Sequence, residues 1–173
     1  MARLLEGGED ARFIARRLVI LASEDIGLAD PQALLIADAA ARAVEYVGLP
    51  EAQLNLAHAT IYLACAAKSN SAYQALLAAQ AEVKQKPAYP VPLHLRNAPT
   101  QLMKELGYGQ GYQYDHQTPD HVADQEHLPK ELQGATYYQP TNIGYEKQIQ
   151  AYLETIKKDQ IRLKKQNLSS GGK

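Results

Sequence analysis

The 173-residue sequence has no tryptophan, one phenylalanine and one cysteine. A single cysteine, Cys65, excludes an internal disulfide and a zinc site built on several thiolates. It also fits a reducing compartment, so we expect a cytoplasmic protein. No sign of charge dominates, because 18 basic and 19 acidic residues leave a formal net charge of -1. The sequence therefore has no global field that would steer it to DNA or to an anionic membrane.

Long apolar runs are missing as well. No apolar stretch approaches the roughly 20 residues that span a bilayer. The chain does not open with the charged and then apolar segment of a secretory signal. The sequence thus predicts a soluble protein without a membrane partner, of a length typical of one domain with a substantial core.

Alanine is abundant instead, and the apolar residues recur with helical spacing. Of 27 alanines, 23 precede residue 89, and such small side chains let helix axes approach closely. The pattern predicts helices over residues 9–26, 31–48 and 51–66, and a fourth that begins after the Ser69-Asn70 cap. Asp30 is a predicted N-cap and Gly27 a predicted stop. The fold class is therefore predicted to be all-α, with an alanine-rich helical bundle in the first half.

The same spacing predicts which helix faces point into the core. For the third helix, the predicted inward residues are Leu54, Ala57, Ile61 and Ala64. For the fourth helix, they are Tyr73, Leu76, Leu77 and Val83. We expect these side chains to be buried.

The second half of the chain has a different pattern. The stretch KPAYPVP, residues 86–92, holds three prolines and predicts an extended crossing segment. A short helix is predicted from Ala98-Pro99 to Gly107, followed by an irregular segment rich in proline, tyrosine and glycine and by a helix over residues 141–166. The predicted organisation is one structural domain, with a bundle over residues 1–86 and, over 87–173, the crossing segment, loop and C-terminal helix packed on it.

Histidines and carboxylates cluster in the irregular segment and could in principle hold a metal ion. The residues concerned are His116, His121, His127, Asp115, Asp120, Asp124 and Glu126. Their spacing is irregular, and no His-Glu-x-x-His pair places two imidazoles on one helical face. A solvated polar loop is the favoured interpretation, and no metal ligand is predicted.

Catalytic and cofactor motifs are also missing. The glycines of residues 107–111 end a helix and lead into coil, whereas a phosphate loop needs a strand before it and a helix after it. Cys65 lies in a helix among alanines, where a cysteine behaves as a small hydrophobe. No catalytic or cofactor-binding residue is predicted, and the sequence does not predict an enzyme.

One segment carries polar groups that suit either of two roles. Its candidate residues are His94, Arg96, Asn97, Lys104, Tyr108, Tyr112 and Tyr114. Cations, amides and aromatic rings grip nucleic-acid backbone and stack on bases. The same groups can satisfy backbone carbonyls and fill a seam, either as a structural belt against the bundle or between subunits. The structural interpretation is favoured. The basic run of residues 157–165 is typical of a solvated face.

Four blocks carry a resemblance to a known family. They read ARFIARRLVILASEDIGLADPQAL, LAHATIYLACAAKSNSAY, VPLHLRNAPTQLMKELGYGQGYQYDH and LPKELQGATYYQPTNIGYE. In this order they resemble the carboxy-terminal region of the replication-associated recombination protein A family, also called RarA or MgsA, which is related to the human Werner-helicase-interacting protein. The resemblance covers about residues 3–150.

The resemblance implies a domain cut from a DNA-dependent AAA+ ATPase that is similar to clamp loaders and acts at stalled replication forks. In that family this region is a collar that joins subunits into a tetramer. ATP and magnesium would bind the ATPase part, whose Walker, sensor and arginine-finger motifs the sequence lacks. DNA and single-stranded-DNA-binding protein would be partners of the full-length protein. An oligomerisation module is the leading expectation, and a module that docks DNA or a replication protein is the alternative.

Overall fold

The computed structural model of the chain describes residues 1–118 and 121–170, with side chains up to residue 161. Within these residues the protein is all-α, as predicted, with seven α-helices and no strand. A π-helical turn, Ala22–Ile26, directly follows the helix Ala11–Leu21. The helices are α1 (Ala2–Glu6), α2 (Ala11–Leu21), α3 (Gln32–Tyr46), α4 (Ala52–Cys65), α5 (Ser71–Gln85), α6 (Gln101–Glu105) and α7 (Glu146–Ser170).

The chain forms two compact units. The bundle unit comprises residues 1–81 together with 137–150, and the second unit comprises 82–136 together with the chain from residue 151 onward. Helices α5 and α7 each contribute to both units. The segment 137–150 returns to the bundle unit although more than fifty residues separate it from α5 along the chain.

The core of the bundle unit lies between α2, α3 and α4. Ile26, Ala33, Ala37 and Leu63 form one buried cluster, and a second cluster surrounds Leu56. Alanine on α3 permits the close approach of helices that the composition predicted. The predicted boundaries hold within a few residues.

The predicted helix signals at residues 27 and 30 have direct structural counterparts. Gly27 ends the π-helical turn with a φ of 52°. The side chain of Asp30 accepts a hydrogen bond from the backbone N–H of Gln32, at 3.1 Å, as an N-cap does. Its other carboxylate oxygen accepts from the Tyr62 hydroxyl of α4 at 2.7 Å. This cap therefore also ties the start of α3 to α4.

The predicted inward face of α4 is wrong. Leu54 and Ile61 are 75% and 65% exposed, while the buried residues of α4 are Ala52, Leu56, Ala59 and Leu63. The reason is that α4 is apolar on both sides, so helical spacing cannot identify which side meets the core. Cys65 was predicted to lie among alanines within the helix, but it is the last residue of α4 and its side chain is exposed.

The predicted inward face of α5 is wrong as well. Among all residues of α5, only Ser71 is buried, and the four predicted core residues Tyr73, Leu76, Leu77 and Val83 are exposed. The three- and four-residue spacing of Tyr73, Leu76 and Leu77 gave this helix a core-like pattern, although these side chains are exposed.

The second unit contains α6, several turns and parts of α5 and α7. After the prolines, a 3-10 turn spans Leu93–Leu95, and α6 follows with Thr100 as its N-cap. The Thr100 hydroxyl accepts from the N–H of Met103 at 3.3 Å. Further 3-10 turns lie at Asp115–Gln117 and Lys130–Leu132. The predicted short helix before Gly107 is thus confirmed.

Candidate functional site

The most extensive polar cluster of the bundle unit surrounds Glu146, the first residue of α7, and sequence reasoning missed it. Its carboxylate is 0% exposed. One oxygen accepts from the Ser69 hydroxyl at 2.9 Å and from the backbone N–H and hydroxyl of Thr141 at 2.7 and 2.6 Å. The other oxygen accepts from the hydroxyl of Ser71 and, at 3.1 Å, from that of Tyr138. We call these five residues the carboxylate cluster.

The carboxylate cluster joins distant parts of the chain. Ser69 and Ser71 open α5, whereas Tyr138, Thr141 and Glu146 belong to the segment that returns 75 residues later. Five donors fill the lone-pair directions of the carboxylate, so it has no free position for a substrate donor or for a proton. The cluster is therefore a structural lock rather than an acid–base site.

The charge state of Glu146 follows from these contacts. Burial raises the pKa of its carboxyl, but hydrogen bonds from Ser71, Thr141 and Ser69 outweigh burial and lower the pKa to about 2. Burial, followed by the hydrogen bond to the Glu146 carboxylate, raises the pKa of the Tyr138 hydroxyl to about 12. Glu146 is thus ionised and Tyr138 neutral across the physiological range.

A glycine brings the returning segment close to the bundle. Gly144 has a φ of 55°, and a Cβ atom there would lie 2.1 Å from the carbonyl oxygen of Ala29. The next residue, Tyr145, donates its backbone N–H to the same oxygen at 2.8 Å. The backbone therefore docks at Ala29 where no side chain fits, two residues before Glu146.

Two of the predicted candidates, Arg96 and Tyr108, contact each other in the second unit. Arg96 donates from Nε to the carbonyl of Val91 at 2.7 Å and from a terminal nitrogen to the Tyr108 hydroxyl at 3.1 Å. Its guanidinium also lies 5.0 Å from the centre of the Tyr108 ring. His94 contacts the carbonyl of Glu126 through Nε2 at 2.8 Å. We call Arg96, Val91 and Tyr108 the arginine cluster. All these contacts lie within the second unit and suit the structural interpretation.

The other candidates are not part of that cluster. Asn97, Lys104, Tyr112 and Tyr114 have exposed side chains. Tyr114 packs at a tilt against the ring of His116, with 5.1 Å between ring centres. These four residues remain available at the surface of the second unit.

A groove of about 400 Å³ runs along the proline-rich segment of the second unit. Its lining includes Pro90, Val91, Pro92 and Leu93, together with Leu128 and Pro129. Basic and acidic side chains both border it, including Arg96, Lys130, Glu126 and Glu131. Its mixed charge selects no ligand class.

Two histidines of the predicted polar loop meet in space. The Nδ1 atoms of His116 and His121 are 3.1 Å apart. Among the described residues, no group of three or more histidine, cysteine, aspartate or glutamate side chains could hold a metal ion. Asp120, named above with the potential ligands, lies outside the described residues, as do the side chains of Arg162, Lys164 and Lys165 in the basic run.

The comparison with known families now decides the classification. A family model described as MgsA AAA+ ATPase C terminal matches residues 1–157. The chain belongs to this family. The resemblance noted from the four sequence blocks is thereby confirmed, and the family description concerns the C-terminal region of these ATPases rather than their ATPase domain.

Curated relatives agree with this assignment. The chain is 50% identical over 159 residues to replication-associated recombination protein A of Coxiella burnetii. The matched region covers 91% of the chain and 36% of that protein. Identity to the protein of the same name in Escherichia coli K12 is 47%, over 86% of the chain and 33% of that protein. Identity to ATPase WRNIP1 of Dictyostelium discoideum is 44%, over 79% of the chain and 16% of that protein. The chain thus spans about a third of the length of the bacterial relatives it matches.

The helices of the described part of the chain are not membrane-spanning segments. None of them combines the length and the apolar character that crossing a bilayer requires.

Proposed function

We propose that this chain is the assembly domain of a AAA+ ATPase that acts in DNA replication, recombination and repair, and that it joins subunits into a homotetramer. The names of its relatives support a role in DNA replication and recombination. Apolar helix faces that the bundle unit leaves uncovered support the assembly role. The single cysteine supports a cytoplasmic location.

The observation that carries the proposal is the α5 face, defined as Tyr73, Leu76 and Leu77. These side chains are 38%, 54% and 40% exposed. Spacings of three and four residues place them on one side of the helix. An exposed apolar helix face of this kind marks a site of protein–protein contact, because burying it gains about 25 cal/mol for each Å² of apolar area.

A second surface, the α4 face, consists of Leu54 and Ile61. They lie seven residues apart, two helical turns, on the side of α4 opposite its buried residues Leu56 and Leu63. A helix that is apolar all round is normally covered all round. A second copy of the chain is the proposed cover for both faces, since obligate assemblies bury surfaces that resemble a core cut in half.

The test places charge on each face in turn. Leu76→Glu and Ile61→Glu are compared with Leu102→Glu, which alters an equally exposed leucine on α6. We expect the first two variants to lower the oligomer mass in size-exclusion chromatography with light scattering, while the control keeps it. Circular dichroism confirms that each variant remains helical. If both variants keep the same oligomer mass as the control, the proposed interface is contradicted.

In the parent protein, the collar would hold ATPase modules around DNA. ATP and magnesium would bind those modules, and DNA and single-stranded-DNA-binding protein would be partners of the whole assembly. This chain would then hold the ATPase modules in position and would not catalyse a reaction itself. In a full-length parent, the Leu76→Glu change should lower the oligomer mass more than it weakens nucleotide binding.

The alternative function is a docking module for DNA or a replication protein. Exposure of Tyr112 and Tyr114, with Lys104 nearby in sequence, favours it, because tyrosine rings stack on bases and lysine pairs with phosphate. Binding of a fluorescent single-stranded oligonucleotide would then weaken steeply as salt rises. Tyr112→Ala should weaken it further, while Tyr152→Ala, an exposed tyrosine of α7, should not. Undetectable binding at low salt would exclude this role for the chain.

A further inference from the structure

The histidine pair of the second unit suggests a ligand that the proposed assembly role does not involve. His116 and His121 are five residues apart, and their Nδ1 atoms lie 3.1 Å from each other. The ring planes meet edge to face, with 5.0 Å between centres. We propose that these two imidazoles chelate a divalent first-row transition metal ion through Nδ1, with water completing the coordination.

The distance between the two nitrogens is the first argument. Ligand nitrogens lie about 2.0–2.1 Å from such an ion, so two of them are about 2.9 Å apart at a right angle and about 3.3 Å apart at the tetrahedral angle. The separation of 3.1 Å falls between these values. Small rotations of the two rings would therefore bring both nitrogens within bonding distance of one ion.

The second argument is that local hydrogen bonds fix the backbone on both sides of the pair. Gln113 and Gln125 bond reciprocally, the side chain of Gln125 accepting from the N–H of Gln113 at 3.2 Å and donating to its carbonyl at 2.8 Å. Asp115 accepts from the N–H of Ala123 at 2.9 Å, and Ala123 is buried. The two histidines thus project from a loop whose ends are already closed.

The conformation of His121 is the third argument. Its φ is 52°, and it is the only described residue other than glycine with a positive φ. Its backbone N–H donates to the carbonyl of Thr118 at 3.1 Å. A side chain held in this region costs free energy, and such strain concentrates at ligand sites. Here the turn directs the imidazole toward His116.

The chemistry of the donors selects the ion. Neutral imidazole suits zinc, copper and nickel, whereas magnesium prefers oxygen. A hydrogen bond between the two Nδ1 atoms needs a proton on one of them and a lone pair on the other. Binding moves that proton to Nε2, so both lone pairs face the ion and the ligands stay neutral. The ion would cross-link the two sides of the loop between Gln113 and Gln125.

Calorimetric titration of the tag-free chain with Zn²⁺, Cu²⁺ and Mg²⁺ tests the proposal. We expect Cu²⁺ to bind more tightly than Zn²⁺ and Mg²⁺ not to bind. His116→Ala and His121→Ala should each weaken Zn²⁺ binding by about tenfold or more, since even an outer partner of a ligand typically contributes 10–100-fold. His127→Ala, an exposed histidine nearby in sequence, is the matched control and should leave the affinity unchanged.

A second readout separates this loop from other surface histidines. Zn²⁺ should slow amide hydrogen exchange at the described residues between Gln113 and Gln125 in the wild type, and in neither histidine variant. Circular dichroism checks that the variants fold, and His116→Gln repeats the test with a polar side chain. Absent Zn²⁺ binding, wild-type affinity in both alanine variants, or equal weakening by His127→Ala would each overturn the proposal.

Discussion

Two polar clusters of this protein differ in how far along the chain they reach. The carboxylate cluster joins residues 75 and 77 positions apart around a fully buried charge. The arginine cluster joins residues 5 and 12 positions apart around a half-buried cation. Arg96 of the conspicuous HLRN motif thus forms contacts with residues close to it in sequence. Glu146, which belongs to no conspicuous motif, holds the returning segment to the bundle. A conspicuous motif is therefore a poor guide to long-range stabilisation.

The largest expected effect removes the centre of the carboxylate cluster. Glu146→Ala takes away the one acceptor that five donors share, so we expect the free energy of unfolding to fall by about 3–5 kcal/mol. Urea unfolding at fixed protein concentration measures it. Glu154→Ala, an exposed glutamate on the same helix, should change stability by less than about 0.5 kcal/mol. Similar losses in both variants would contradict the special role of Glu146.

The same cluster predicts a pH dependence. The pKa of Glu146 is lowered from 4.5 to about 2 in the folded protein, so its contribution is fully present above pH 4.5. It is lost as pH falls toward 2, because folding must then exclude a proton that the unfolded chain binds. We expect a loss of about 3 kcal/mol over this interval. Glu146→Gln should flatten this part of the stability curve, and an unchanged slope would refute the assignment.

The docking of Gly144 gives a smaller effect with a matched control. Gly144→Ala places a Cβ 2.1 Å from the carbonyl oxygen of Ala29, whereas Gly8→Ala, at a φ of 81°, meets no atom within 4 Å. Both substitutions strain a left-handed residue, but only the first displaces the backbone. We expect Gly144→Ala to cost about 2 kcal/mol more in thermal unfolding. Equal costs would show that the segment has room to move.

The smallest effect belongs to the arginine cluster. Arg96→Ala removes one bond to the carbonyl of Val91 and the contact with Tyr108, so we expect a loss of about 1 kcal/mol. Amide exchange should rise near these two residues and stay unchanged around Glu146. Normal unfolding and oligomer mass, together with abolished DNA binding in the full-length ATPase, would instead assign Arg96 to a nucleic-acid surface.

The helices were predictable because their ends carry local signals. Asp30 caps α3 and Thr100 caps α6 through hydrogen bonds that span two or three residues, so the sequence alone contains both partners. Gly27 and Gly107 likewise mark helix ends, because the glycine signal lies at the end of the helix itself and can be read from the sequence alone. Apolar spacing and the family resemblance both gave the all-α class.

The helix faces were not predictable because α4 and α5 are apolar on more than one side. Periodicity detects an apolar stripe but not which neighbour covers it, and so Leu54, Ile61 and Leu76 were wrongly assigned to the core. An interface between copies has the same composition as a core. The sequence therefore cannot separate the two.

The candidate sites were only partly predictable. Arg96 and Tyr108, two of the named candidates, contact each other, whereas His94 contacts the carbonyl of Glu126. Glu146 was missed because its partners Ser69 and Ser71 lie far away in sequence and each resembles an ordinary helix cap. The pairing of His116 and His121 depends on a left-handed turn that composition does not reveal.

Sedimentation equilibrium of the unmodified chain, across concentrations up to tens of micromolar, tests the central claim most directly. If the α4 and α5 faces join copies of the chain, the mass should approach four times 19.0 kDa. A mass of 19.0 kDa at every concentration would contradict the account.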